Sequence, residues 1–185
     1  MDVLAELLLD QHGVVSRRQL LGCGLTDSDI DRHVRRRELR RLHPGVYVDH
    51  TGPLTWLQRA WAAVLFSWPA ALSHDSALRA VEGPGRRGRD EGVIHVAVDR
   101  SRRLVAPDGV RIHRTTHLDL RAQWNVGPPR IRYEHALLDV AASSGSDLDA
   151  IAVLADACGS RRSIATRLLR ALQDRPRQGR RRWLV

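Results

Sequence analysis

Six arginines and a single acidic residue, Glu38, lie between residues 32 and 41, and this run suggests chemistry more directly than any other part of the chain. A guanidinium group is planar and charged, so it can hold a phosphate group or the O6 and N7 atoms of guanine through two parallel hydrogen bonds. The run therefore predicts contact with nucleic acid. A plainer interpretation stays open, because cations are also common at a helix end, where they interact with the helix dipole.

The elements that would position these arginines begin with two helix starts of the same kind. Ser16 and Gln19 have the capping-box spacing, in which the two side chains satisfy free backbone N–H groups, and Thr26 and Asp29 repeat it. An apolar helix over residues 3–11 and a short strand at 14–15 precede the first box. The helix that the first box opens ends at the turn 22–24, and the second box opens a helix that runs to about residue 37.

A hairpin completes this N-terminal unit. Residues 39–42 and 46–48 are predicted strands, and His43, Pro44 and Gly45 form the turn between them. Helix, turn, helix and hairpin within 48 residues are typical of a winged helix-turn-helix, which inserts a helix into the major groove of DNA. Residues 1–50 are therefore predicted to be a DNA-binding domain.

The helix geometry indicates which side chains would face DNA. Ile30 and Val34 are four positions apart and must face the core. The opposite face is polar, and further arginines follow in the hairpin: Ser28, Asp31, Arg32, Arg35 and Arg36, then Arg40 and Arg41. However, the carboxylates of Asp27, Asp29 and Asp31 crowd the helix start, which a helix aimed at bases would normally avoid. A small module that contacts protein instead of DNA is therefore the alternative.

Composition limits the class of protein. With 185 residues, 43% of them hydrophobic, the chain can form a real core. No apolar run reaches the roughly 20 residues that span a bilayer. Acidic Asp2 and Glu6 argue against a secretion signal, so a cytoplasmic protein is expected. Cys23 and Cys158 are expected to be reduced thiols that hold no metal.

The net charge of +9 is concentrated at the C-terminus. Residues 161–185 hold nine arginines and one acid, whereas residues 1–48 hold eight arginines and seven acids. The overall basicity is therefore no evidence for a DNA-binding N-terminal unit. Residues 176–185 are predicted to form a basic tail that binds any polyanion at low salt.

Residues 51–175 are predicted to form a second domain, which makes the fold class α+β. Trp56, Trp61 and Trp68 have helical spacing and are predicted to lie in a core. Strands are predicted at 93–98 and 130–133, and Asp108-Gly109 is predicted to turn a hairpin between residues 104–105 and 110–113. Three helices follow, over residues 134–142, 147–157 and 163–175. Helices, then strands, then helices indicate an α+β arrangement.

The sequence lacks the common catalytic motifs of nucleotide-binding proteins, hydrolases and metalloproteases. Walker, G-x-S-x-G and H-E-x-x-H sequences are absent, and no G-x-G-x-x-G sequence follows a predicted strand. Lysine is absent as well, which excludes an E-x-K nuclease pair. His113 and His117 have ligand-like spacing but would not converge on an extended segment, and His95 is expected on the solvated or interface side of its strand. No enzymatic activity, cofactor or metal site is therefore predicted.

Several segments resemble the AbiEi-type antitoxins of type IV, or abortive-infection, toxin–antitoxin systems, whose relatives are especially common in actinobacteria. The N-terminal motifs are Gly13-Val-Val-Ser-Arg-Arg-Gln-Leu20, Gly24-Leu-Thr and Leu39-Arg-Arg-Leu-His-Pro-Gly-Val-Tyr47. Leu72-Ser-His-Asp-Ser-Ala77 is similar to the LSHxSA helix start of the family's second domain, and Ala136-Leu-Leu-Asp-Val-Ala141 is similar to a later helix. The resemblance thus extends over most of the chain.

This resemblance implies a winged helix that represses its own operon and a second domain that neutralises a nucleotidyltransferase toxin. It implies DNA contacts at Arg17, Arg18, Ser28, Arg32, Arg35, Arg36, Arg40 and Arg41. Many relatives continue into a repair-endonuclease-like domain after an arginine-rich junction, and this chain is expected to lack that domain. Dimerisation or paired sites are expected for tight binding, because one module buries only about 600–1,000 Å² on DNA. An antitoxin that binds its toxin with weak or no specific DNA binding is the alternative.

Overall fold

The computed structural model describes residues 3–85 and 92–175, which form two units of mixed helix and strand. The predicted basic tail, residues 176–185, lies outside the described residues. The N-terminal unit contains α1 (Val3–Asp10), β1 (Val14–Ser16), α2 (Arg17–Gly22), α3 (Asp27–Arg35), β2 (Arg40–His43) and β3 (Val46–Val48). Strand β3 lies between β1 and β2 and pairs antiparallel with both.

Local side-chain chemistry sets the helix starts of this unit. The Ser16 side chain accepts a hydrogen bond from the backbone N–H of Gln19, and Thr26 does the same for Asp29, so both predicted capping boxes form. Helix α3 ends at Arg35, slightly before the predicted end near residue 37, where the backbone turns to a φ of +59°. The helix starts could therefore be predicted more closely than the helix end.

A small apolar cluster holds α2, α3 and the sheet together. Its buried members are Val15, Leu20, Ile30, Leu39 and Tyr47. Partly buried leucines of α1 and the partly buried Val34 pack around them. Ile30 is 2% exposed, which confirms that the predicted apolar side of α3 faces the core.

The larger unit is built around a five-stranded sheet. Its elements are α4 (Trp56–Ser67), β4 (Ala70–Leu72), α5 (His74–Glu82), β5 (Ile94–Asp99), β6 (Val110–Thr115), α6 (Leu118–Arg121), β7 (Ala122–Gln123), β8 (Arg130–Ile131), α7 (Tyr133–Ser143), α8 (Asp147–Gly159) and α9 (Ala165–Gln173). The strand order is β6-β5-β4-β8-β7. The central strand, β4, is fully buried and was not predicted from the sequence. Two sheets with many helices confirm a mixed α and β fold.

The predicted hairpin around Asp108-Gly109 is wrong. Strand β6 pairs in parallel with β5, with Val96 opposite Ile112, and residues 104–105 form no strand. The Asp-Gly turn does form, and Gly109 has a φ of +74°. The turn leads into a parallel strand because β5 offers a buried edge for pairing, whereas Val105 is 89% exposed and has no apolar surface to cover it. The predicted strand at 130–133 is also shorter, since Tyr133 already begins α7.

The two units share an apolar core. Val14, Val46 and Val48 of the N-terminal sheet lie in one cluster with Trp61 and Leu65 of α4. The Gln58 side chain, also on α4, donates a hydrogen bond of 2.9 Å to the backbone carbonyl of His12.

The described helices include none that is long and apolar enough to cross a membrane.

The predicted burial of the tryptophans is confirmed for two of the three. Trp56 is 9% exposed and Trp61 is 8% exposed. Trp68 is partly buried, and its ring meets the edge of Trp124 at a centroid distance of 5.8 Å. The aromatic residues of α4 are therefore packing residues.

Candidate functional site

Helix α3 presents a polar face opposite the buried Ile30. Four predicted DNA contacts lie on or directly after this helix, and all four are exposed: Ser28, Arg32, Arg35 and Arg36. The structure shows no side-chain partner for the guanidinium groups of Arg35 and Arg36 within residues 3–85 and 92–175. These two groups are therefore available to an anionic ligand.

The acidic residues at the start of α3 are mostly engaged within the unit. Asp27 accepts two hydrogen bonds from Arg17, at 2.8 and 2.6 Å. Asp29 accepts from Thr26 and forms an ion pair with Arg32. Hydrogen bonds from Thr26, with a smaller effect of Arg32, lower the pKa of Asp29 to about 2. Two of the three carboxylates therefore serve to hold the helix start, and this weakens the electrostatic argument against DNA.

The other predicted contacts have different surroundings. Arg40 is partly buried and donates to the carbonyl of Gly52 at 2.9 Å. The exposed Arg41 lies over the Tyr47 ring, 5.9 Å from its centroid. Arg18 lies over the ring of Trp68 at 5.1 Å, so it spans the junction between the two units. Arg40 and Arg18 thus have structural partners in addition to any role at a ligand.

A polar cavity of about 1700 Å³ lies on the larger unit, next to β6, α6 and α7. Asp139 of α7 is at its wall and forms ion pairs with Arg121 at 2.7 Å and with Arg175 at 3.0 Å. These three side chains are only 9–16% exposed. This cluster was not predicted from the sequence, although an aspartate between apolar residues of a predicted helix was a signal for a buried partner.

His135 borders the same cluster, and its surroundings predict how stability depends on pH. The pKa of His135 is lowered to about 4, mainly by burial. The positive charge of Arg175 also lowers this pKa, and its effect is larger than the opposite effect of the negative charge of Asp139. The unfolded chain binds a proton near the ordinary histidine pKa of about 6.5, whereas the folded chain does not. The contribution of His135 to stability is therefore complete above about pH 6.5 and is lost as the pH falls towards 4.

Urea unfolding at several pH values between 7 and 4.5 measures this effect. We expect stability to fall with the pH, and to fall less steeply in a His135→Asn variant. Arg121 and Asp174 also act on the His135 ring, but neither is altered by this substitution. Equal pH slopes for the variant and the parent protein would contradict the assignment.

His113 and His117, which have ligand-like spacing in the sequence, do not lie together in the structure, but His113 has two other histidines beside it. His117 is exposed, with a φ of +56°, and it is not part of a ligand cluster in the described residues. His113 instead lies beside His95 and His74, which the sequence places far apart. His95 is partly buried and lies against the other two rings, which agrees with the interface side that the strand pattern left open and not with the solvated side.

Comparisons with known proteins agree with the N-terminal motifs. Residues 2–48 match the model of a family described as a transcriptional regulator, AbiEi antitoxin. The chain is also similar to the crystal structure of the RV2827C protein from Mycobacterium tuberculosis, with 26% sequence identity and a TM-score of 0.51. The match covers 95% of this chain and 71% of that protein. A search of curated proteins found no match. The N-terminal segment is therefore similar to the transcriptional regulators of the AbiEi antitoxin family, as its motifs predicted.

Proposed function

We propose that this chain is a DNA-binding transcriptional autoregulator of the type IV antitoxin kind, which represses its own operon. Residues 1–50 act as a winged helix-turn-helix, residues 51–175 as the antitoxin-like domain and residues 176–185 as a basic tail. The module inserts α3 into the major groove and sets the β2–β3 hairpin against the backbone or minor groove. The chain acts as a homodimer, so that two modules read a repeated operator. It works in the cytoplasm, and operator binding needs no cofactor and no catalytic step.

The exposed arginine face of α3 is the observation that carries this proposal. Arg35 and Arg36 are exposed, and the carboxylates of Asp27 and Asp29 that would repel DNA are engaged by Arg17, Thr26 and Arg32. The match of residues 2–48 to a regulator family supports the same conclusion. We assign contacts with bases or phosphates to the full predicted set: Arg17, Arg18, Ser28, Arg32, Arg35, Arg36, Arg40 and Arg41.

An Arg32→Ala, Arg35→Ala double variant is expected to lose at least about tenfold in affinity for the upstream DNA of its own gene. One bidentate contact between arginine and guanine contributes about 1–3 kcal/mol of discrimination. Fluorescence anisotropy with the operator and with scrambled DNA of equal length, across a salt series that includes about 0.15 M, measures the change.

Two matched controls separate sequence reading from general charge attraction. Arg167→Ala with Arg170→Ala removes the same charge from exposed positions of α9, and it should leave the preference for operator DNA unchanged. Deletion of residues 176–185 should weaken binding to both DNAs alike at low salt. If that deletion alone removes the preference for the operator, or if both DNAs bind equally and lose affinity with salt, the proposal is wrong.

A second candidate function is neutralisation of a nucleotidyltransferase toxin by residues 51–175, with weak or no specific DNA binding. Exposed apolar residues on α8 favour it, because Leu148 is 78% exposed and Ile151, one helical turn away, is 46% exposed. Leu148→Glu with Ile151→Glu should then abolish co-purification with a toxin encoded beside this gene and leave operator binding unchanged. Unchanged co-purification would remove α8 from the toxin interface.

A further inference from the structure

Three histidines from separate elements meet beside the polar cavity. His74 is the first residue of α5, His95 lies on β5 and His113 lies on β6. Because Ala97 is paired with His113 in the parallel ladder, His95 and His113 are on the same side of the sheet, two positions apart. The tertiary fold, and not local sequence, therefore brings the three rings together.

The ring nitrogens are close enough to bind one ion. Nδ1 of His95 is 3.0 Å from Nε2 of His113, and one nitrogen of each of the three rings lies within 4.8 Å of the others. Zinc binds histidine nitrogen at about 2.0–2.1 Å, so two ligands of a tetrahedral site are about 3.3–3.4 Å apart. His95 and His113 already have nearly this separation. The His74 ring stacks on the His113 ring at a centroid distance of 3.8 Å, and it must turn out of this stack for its nitrogen to bind the same ion.

The surroundings favour the form of histidine that binds metals. All three side chains are partly buried, and burial favours the neutral imidazole, whose free lone pair binds metals. The Ser73 hydroxyl lies 3.2 Å from Nδ1 of His74, where it can orient the ring as an outer-shell partner.

We propose that His74, His95 and His113 form a binding site for a divalent transition-metal ion of the zinc class. Three imidazoles without a thiolate or carboxylate suit zinc, copper or nickel, and not magnesium or calcium, which prefer oxygen ligands. His74 and His113 also line the cavity of about 1700 Å³, so the fourth coordination position opens into it and takes water or a small anion. The site belongs to the larger unit, and it is independent of DNA binding by α3.

Metal analysis of the full chain, purified without a histidine tag, tests the proposal. After treatment with a chelator and dialysis against Zn²⁺, the protein should hold one zinc ion per chain. Substitution with Co²⁺ should give the intense visible absorption of a tetrahedral nitrogen site. Because the cobalt spectrum is recorded on the unaltered protein, it decides the question even if a histidine variant fails to fold. A parent chain that binds neither ion stoichiometrically would overturn the proposal.

Variants then assign the ligands. His95→Gln and His113→Gln should each raise the dissociation constant for Zn²⁺ by at least about 100-fold, since loss of an outer-shell partner alone costs 10- to 100-fold. His117→Asn is the matched control, because His117 is exposed near the same cavity and asparagine tolerates its positive φ. This control should bind zinc like the parent protein. Equal zinc affinity in folded His95→Gln, His113→Gln and parent proteins would place the metal elsewhere.

Discussion

Replacement of Trp61 by alanine is expected to lower the free energy of unfolding by about 3–5 kcal/mol, the usual range for a buried tryptophan. The side chain is 8% exposed and lies in one cluster with Val14, Val46 and Val48. On another side the indole ring packs directly on the backbone of Gly127, where an added Cβ atom would come within 2.9 Å of the ring. The structure around a removed core side chain relaxes only in part. The variant would therefore leave a cavity that the chain fills only in part.

Urea or guanidinium unfolding measures this loss of stability, and two further variants serve as comparisons. Trp61→Phe should cost less than the alanine change, since it keeps an aromatic ring and removes an indole N–H that is buried without a partner in the described structure. Leu148→Ala, at a 78% exposed position, should change stability by no more than about 0.5 kcal/mol. Unchanged stability of Trp61→Ala together with lost DNA or toxin binding would instead make this face of α4 a binding surface.

An Asp139→Asn variant is expected to lose about 3–5 kcal/mol, the range for a buried ion pair that is broken on one side. Asp139 is the carboxylate that Arg121 and Arg175 share, at 2.7 and 3.0 Å. Removal of its charge leaves two guanidinium groups that are largely shielded from water. Their positive charges then repel each other across the cavity wall, where screening is weaker than at the surface.

The matched control for this change is Asp119→Asn, an exposed aspartate of α6 whose replacement should leave the unfolding midpoint nearly unchanged. Thermal and urea unfolding at pH 7 compare the two variants. A salt series adds a test of burial, since a buried ion pair is screened less than an exposed one. Equal stability of Asp139→Asn and Asp119→Asn would show that the arginines reach solvent or other partners.

Features that depend on neighbours in the sequence were predicted well. The capping boxes at Ser16 and Thr26 need only a partner three residues later, so the spacing alone predicts the helix starts. The turn before Val46 and the buried side of α3 follow from equally local patterns. The N-terminal unit was therefore the part of the fold that the sequence described best.

Features that depend on distant pairing were missed or wrong. Strand β4 consists of three small or aliphatic residues, 70–72, which become a strand only because β5 and β8 pair with it on its two sides. Strand β6 was assigned to a hairpin because the Asp-Gly signal is local, whereas its parallel pairing with β5 is not. Local propensity carries little information about such strands.

The candidate sites show the same division. The arginine run from residue 32 to residue 41 is visible in the sequence, but the engagement of Asp27 by Arg17 needs a contact across ten positions. His95 and His113 are eighteen positions apart, and only the ladder between their strands brings them together. Arg175 reaches His135 and Asp139 from the far end of α9. No spacing rule would have grouped these residues.

The apolar cluster shared by the two units has a mechanical consequence. Rotation of the N-terminal sheet against α4 would expose Val14, Val46 and Val48 to water and would break the hydrogen bond from Gln58 to His12. Helix α3 packs on that sheet and is therefore held in a fixed orientation relative to the larger unit. If α3 enters DNA as proposed, a protein that binds the larger units of two chains sets the distance and the angle between their two α3 helices. Such a protein can match or mismatch the two helices to a DNA repeat without touching the DNA.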